Sequence, residues 1–239
     1  MKRLTLVFLV LTFCASAFAG DKNKGNDSQL QKATNVLNEI MGTPDKGIPN
    51  ELMEKAVCVG IVPSELKFAL GIGGTYGRGM LVCRRGGNGR WGAPSMFTLG
   101  GGSFGFQIGG KATDVVFIVM NPDGARKLVQ DSVKLGAEAS AAAGPVGRSA
   151  EGATDAQLHA EVLSYSRSQG LFAGLSLDGS VLKQDADENE KLYGRKVSAK
   201  EILIEGTVRT PVDARRLDGT LTKYSPKGGQ AFNGPTAEK

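Results

Sequence analysis

The chain has 239 residues, 41% apolar and 22% charged, with a formal net charge of +5. That is enough for one domain of ordinary size with flanking segments, and too mild a charge for the basic, aromatic-studded surface that nucleic acid needs. One histidine and three cysteines leave almost nothing from which to build a metal centre or a histidine relay.

Lys2 and Arg3 precede a short apolar run from Leu4 to Phe13, and Ala17-Phe18-Ala19 forms a small-x-small cleavage site before Gly20. The run is too short to span a bilayer, so residues 1–19 read as a secretory signal peptide. The rival is a lipoprotein signal acylated at Cys14, with bulky Phe13 where a small residue is wanted. Removal of Lys2 and Arg3 lowers the charge from +5 to +3. No later segment is apolar enough to span a bilayer, so the mature chain is expected in the periplasm or outside the cell, soluble or peripheral to a membrane. That compartment permits disulfides.

Residues 20–27 read as a polar linker. Leu30, Ala33, Leu37, Ile40 and Met41 then recur at helical spacing, with Asp27 or Ser28 as cap and Gly42 at the end. A short helix is expected from Pro49 to Ala56, and a buried strand from Val57 to Val62, stopped by Pro63. The stretch 66–119 is β-rich, with strands over 68–76, 80–84, 95–99, 104–108 and 115–120 and a turn at Gly86-Gly87-Asn88-Gly89. Almost half of the 34 glycines lie between Gly60 and Gly110. Two runs share one pattern, Gly73-Gly74-Thr75-Tyr76-Gly77 and Gly101-Gly102-Ser103-Phe104-Gly105. Glycine weakens a strand, so this density implies curved sheet, bulges or close backbone approach on successive antiparallel passes. Cys58 and Cys83 both lie in strand-like runs. They are either a disulfide or two buried small apolar residues.

Asn121-Pro122-Asp123 opens a helix with cap, first-turn proline and acid in order. Part of 136–147 reads as extended, although Ala141 to Ala143 are equally compatible with a helix. Strands are expected over 161–167 and 171–177, joined at Gln169-Gly170, and a short polar helix over 185–192. Ser198 and Glu201 form a capping box for a last helix through Ile204. The tail from Gly206 to Lys239 lacks periodicity and reads as loosely ordered. The sum is an α+β domain over 28–205: a curved, mostly antiparallel, glycine-rich, barrel-like sheet with flanking helices.

His159 has no serine or cysteine constellation around it and reads as a surface residue. Gly100, Gly102 and Gly105 match the dinucleotide fingerprint in form only, because strand-like alternation follows where a helix should open. Asp185, Asp187 and Glu188 lack the spacing of a calcium loop. Asp114 stands among apolar residues and is either a structural carboxylate holding turn amides or a catalytic acid. No metal or cofactor is implied. Trp91 beside Arg90, with Arg84 and Arg85 across the glycine turn, forms a cationic hairpin tip. Such a tip suits a membrane interface, or is an ordinary turn with a half-buried tryptophan.

The chain resembles the SYLF domain family over roughly residues 29–205. The specific pieces are Trp91-Gly92-Ala93-Pro94-Ser95 and Tyr165-Ser166-Arg167-Ser168-Gln169-Gly170-Leu171-Phe172-Ala173-Gly174, with Gly144-Pro145-Val146-Gly147-Arg148 between them. The resemblance implies binding rather than catalysis: phosphoinositides and other anionic lipids in eukaryotic members, aided by an amphipathic N-terminal segment, and actin in fungal ones. The matching segment, Ser28 to Met41, carries Lys32 as its only basic residue, with Lys22 and Lys24 just before it. Its apolar face either seeks a membrane or packs on the domain's own sheet. The expected partner is an anionic phospholipid surface contacted by Lys32, Arg84, Arg85, Arg90 and Trp91. The alternative is a structural protein of the cell envelope that holds a protein partner. Actin is a poor candidate for an exported chain that no SH3 module accompanies.

Overall fold

The computed structural model describes residues 24–43, 47–70, 72–85, 89–104, 109–147, 157, 159–168 and 171–226. The signal-peptide reading and Cys14 lie outside them. Helices α1 (Lys24–Met41) and α2 (Asn50–Lys55) lead into β1 (Cys58–Leu70), β2 (Ile72–Arg85), β3 (Arg90–Trp91), β4 (Ser95–Phe104) and β5 (Gly109–Val119). Then come α3 (Pro122–Leu128), β6 (Ser132–Lys134), β7 (Ala141–Ala143), β8 (Val162–Ser168), β9 (Leu171–Gly174) and β10 (Val181–Gln184). Helix α4 (Ala186–Tyr193), a π-helical turn (Glu201–Glu205), a 3-10 turn (Val212–Ala214) and α5 (Arg215–Tyr224) follow.

The strands form one strongly curled half-barrel sheet, ordered β6-β10-β4-β2-β1-β5-β8-β7, with β3 on β2 and β9 on β8. All these pairs are antiparallel except β7 with β8. The fold is therefore the α+β architecture read from the sequence.

The central strands are apolar on both faces because each face has its own core. In β5, Val115, Phe117 and Val119 enter one core, and Val116 and Ile118 the other. The first core is closed by Leu128 of α3 and by Leu177, Val197, Ile202 and Leu203. The second is closed by Leu30, Ala33, Leu37 and Ile40 of α1, Met53 of α2, and Leu217 and Leu221 of α5. The apolar stripe of α1 thus packs on the domain's own sheet.

Close approach accounts for some of the glycines. A Cβ on Gly60 would lie 2.1 Å from Cζ of Phe117, and one on Gly77 would lie 2.4 Å from Cγ1 of Val62. The register of β1 shifts between Ile61 and Leu66 against β2, and between Val62 and Glu65 against β5. This bulge sits at Pro63-Ser64, where Ser64 has φ 56. The Ser64 amide donates to Oδ1 of Asp114 at 2.9 Å. Asp114 Oδ2 accepts from Arg167 at 2.8 Å, and Arg167 also pairs with Glu39 of α1. Asp114 is thereby a structural carboxylate. The two patterned glycine runs lie on neighbouring strands, with Gly74 opposite Gly102 and Tyr76 opposite Gly100. An aromatic across from a strand glycine covers bare backbone.

Cys58 and Cys83 face each other in the β1–β2 register, 4.0 Å apart at Cα, and are joined by a disulfide in the first core. The caps read at Asn121 and Ser198 hold, whereas Asp27 and Ser28, read as the cap of the first helix, lie inside α1. Asn121 accepts from the Gly124 amide at 2.8 Å and Asp185 from that of Glu188 at 3.1 Å. Ser198 and Glu201 bond reciprocally before the π-helical turn.

Several expectations need correction. The strand read over 68–76 is two strands, because β1 ends at Leu70 and β2 starts at Ile72. The segment read over 104–108 contributes only Phe104, the end of β4; residues 105–108 lie outside the described residues. Residues 24–27 of the linker belong to α1. The tail read as loose contains α5, whose Leu217 and Leu221 are buried, so the domain runs past 205. Replacing Cys58 and Cys83 together by alanine is expected to cost about 2–4 kcal/mol in denaturant titration. Gly60→Ala is expected to cost about 1–3 kcal/mol from crowding, with part recovered when Phe117→Leu is added.

Candidate functional site

β2 ends in two arginines, and strand alternation sends them to opposite faces of the sheet. Arg84 is fully buried. Its Nε donates to the Ala56 carbonyl at 2.9 Å and its Nη1 to that of Gly89 at 2.6 Å. Its Nη2 donates to the Ser225 carbonyl at 3.2 Å and to the Ser225 hydroxyl. The guanidinium lies 4.0 Å from the ring centroid of Trp91, and Trp91 Nε1 donates to the same Ser225 carbonyl at 3.3 Å. Ser225 Oγ donates in turn to the Met53 carbonyl at 2.9 Å. Burial pulls the Arg84 guanidinium down to about 10, so it stays charged at neutral pH. Arg85 is half-buried and donates to the carbonyls of Ile202, Gly206 and Val208 at 3.0, 3.3 and 3.2 Å. Burial lowers its pKa as well.

The cationic hairpin tip is therefore corrected: Arg84 and Trp91 are internal and Arg85 is committed to backbone carbonyls. Their bonds latch α5 and the 202–208 segment to the sheet. Lys32 on α1 and Arg90 on β3 are exposed.

The helix that Arg84 latches carries a cationic face the sequence reading missed. In α5, Leu217, Thr220 and Leu221 turn inward, while Arg215, Arg216, Gly219, Thr222 and Lys223 are exposed. Helix α1 lies alongside, and Arg216 donates to Oε1 of Gln31 at 2.7 Å, one turn from Asn35 and next to Lys32. Elsewhere many cations meet carboxylates: Arg78 with Asp185 and Glu188, Arg126 with Asp123, Lys127 with Glu161, Lys191 with Glu188. Among the described residues Lys32, Arg215, Arg216 and Lys223 meet none. The bordering acids are Asp213, exposed, Asp218, half-buried with its carboxyl pushed up by desolvation, Glu39, already paired with Arg167, and Glu51 and Glu54, exposed on α2, which also packs on α5. The available signal was Leu217, Leu221 and Tyr224 at helical spacing, obscured by Pro211 and Gly219.

His159 is exposed, and Gly100 and Gly102 lie within β4, not at a helix start. Among the described residues no three His, Cys, Asp or Glu side chains gather for a metal ion, and no helix is long and apolar enough to cross a membrane.

The described domain is thus a two-faced curled sheet sealed on one side by its first and last helices. Residues 100–224 match the Ysc84 family, described as Las17-binding protein actin regulator. The chain is 35% identical over 215 residues to LAS seventeen-binding protein 3 of Saccharomyces cerevisiae, covering 84% of this chain and 46% of that protein. It is 35% identical over 199 residues to yeast Protein YSC84, 80% of this chain and 42% of that one. It is 34% identical over 222 residues to the human SH3 domain-containing YSC84-like protein 1, 89% of this chain and 64% of that one. The chain belongs to the Ysc84, or SYLF, family and spans from under half to under two thirds of these relatives' lengths. The expectation that actin is a poor partner is overturned, since the matching family is one of actin regulators and relatives are named for binding Las17. That expectation took its ground from the leader-like start and from what flanks the domain, neither of which is a property of the domain surface.

Replacing Arg84 by alanine strands several buried carbonyls and is expected to cost about 3 kcal/mol or more in chemical denaturation. Ser225→Ala is expected to cost about 1–2 kcal/mol. A Cβ on exposed Gly219 would meet nothing within 4 Å. Gly219→Ala should therefore stabilise the domain by up to about 1 kcal/mol, read as a higher melting temperature.

Proposed function

We propose that the domain is a non-enzymatic adhesion module that binds anionic phospholipid surfaces through the outer face of the α1–α5 pair. The observation that supports this most is the segregation of charge: Lys32, Arg215, Arg216 and Lys223 lie on adjoining exposed helix faces with no carboxylate partner. A cation that meets no carboxylate internally loses little by meeting a phosphate, and each is worth on the order of 1 kcal/mol near a charged membrane. Four together give a useful affinity where one would not. Arg90 stands opposite Arg85 in the β2–β3 register, on the other side of the sheet from α5, and is not part of this face. The apolar stripe of α1 is already used in the core, so this mode of binding is electrostatic and does not need α1 to unpack.

A second reading is favoured by the family's description and one relative's name: a protein partner, as Las17 is for LAS seventeen-binding protein 3 of yeast. The same cationic face can meet an acidic protein surface. The leader-like residues 1–19 support export, and with it a membrane as the nearer target.

Co-sedimentation with phosphatidylcholine vesicles, with and without phosphatidylglycerol, tests the first reading. Binding is expected only with the anionic lipid and should weaken as salt rises. The triple change R215E, R216E and K223E should lower affinity by about a hundredfold or more at low salt. Equal indifference of the unaltered protein to both vesicle types would remove the lipid reading. Direct co-sedimentation with filamentous actin and with purified Las17 tests the second.

A further inference from the structure

The start of α5 carries an apolar side chain that nothing in the described domain covers. Val212 is 67% exposed, the most of any large apolar residue described. It stands on the 3-10 turn Val212–Ala214, immediately after Pro211. The turn is held firmly. Ala214 is buried in the second core, and its amide donates to the Pro211 carbonyl at 3.1 Å. Proline restricts the backbone on the other side, at φ −59. The valine is thus presented outward on a braced turn.

Its surroundings are cationic. Arg209, Arg215 and Arg216 are exposed within four residues of it, and among the described residues none of them meets a carboxylate. Asp213 is the one acid alongside. Leu171, exposed to a similar 66%, has no comparable setting, because the nearest arginine in its hairpin, Arg167, is held by Asp114 and Glu39. A single exposed apolar side chain is ordinary; one flanked in sequence by exposed arginines that meet no carboxylate among the described residues, on a fixed turn, matches a bilayer surface in both its layers. Phosphates lie at the level of the guanidinium groups, and the acyl boundary lies a few ångströms deeper.

We infer that Val212 is the apolar anchor of the docking face, passing below the phosphates of an anionic bilayer while Arg209, Arg215 and Arg216 remain among the headgroups. This rests on the lipid reading above and adds to it an orientation: the start of α5 points into the membrane. An acidic protein surface or free phosphate would engage the arginines without requiring the isopropyl group.

The test uses the full chain and vesicles of phosphatidylcholine with phosphatidylglycerol. Val212→Asp is expected to lower vesicle affinity by about tenfold and Val212→Trp to preserve or raise it. Both should melt close to the unaltered protein, since two thirds of the residue's surface faces solvent. Brominated acyl chains should quench added fluorescence in Val212→Trp but not the native emission of Trp91, which is 6% exposed beneath α5. Millimolar inorganic phosphate should not displace the protein. If the unaltered protein binds these vesicles and Val212→Asp binds as well, or if bromination leaves Val212→Trp untouched, the anchor is refuted while the lipid reading stands. If phosphate displaces the protein fully, the site is an anion site and the anchor is again refuted. Absence of vesicle binding by the unaltered protein removes the lipid reading and the anchor together.

Discussion

The domain closes around one buried cation. Arg84 donates to the carbonyls of Ala56, Gly89 and Ser225 and stacks on Trp91, so α2, the turn before β3 and the residue after α5 converge on a single guanidinium. Removing such a group from water costs several kcal/mol. Planar, forked donors and a ring beneath offset that cost, in a way a lysine could not reproduce. The neighbouring Arg85 does a related task on the opposite face, where it gathers carbonyls from 202, 206 and 208. Two consecutive residues at the end of one strand thereby hold the covering layers on both sides of the sheet.

This arrangement explains why the architecture was legible from the sequence while the site was not. Helix α1, the capped start of α3 and the β-rich middle follow from local pattern: stripe, Asn-Pro-Asp and the apolar runs. The curvature announced itself through glycines that crowd against Phe117 and Val62. What local pattern cannot reveal is the partner of a charged side chain. Arg84, Arg85 and Trp91 have the composition of a headgroup-binding tip, and only the contact with Ser225, 141 positions away in sequence, makes them interior. The cations of α5 were missed for the converse reason. Pro211 and Gly219 gave a real helix the look of a loose tail, and its stability comes from packing on α1 and β3, not from intrinsic propensity.

Family membership fits this division between frame and face. The frame, from the double core to the latch, is built from residues that touch one another and so is bound to one geometry. The face on α1 and α5 is made of side chains that touch little within the domain. Relatives that share the frame can differ on the face, and the names of the yeast and human relatives say nothing about which cations sit there.

The neighbouring positions of the first and last helices have a topological consequence. Helix α1 opens the described domain, α5 closes it, and the two lie side by side on one face of the sheet. A unit whose first and last helices pack against each other is closed by contacts between the two ends of its sequence, so neither helix can be removed without uncovering the second core.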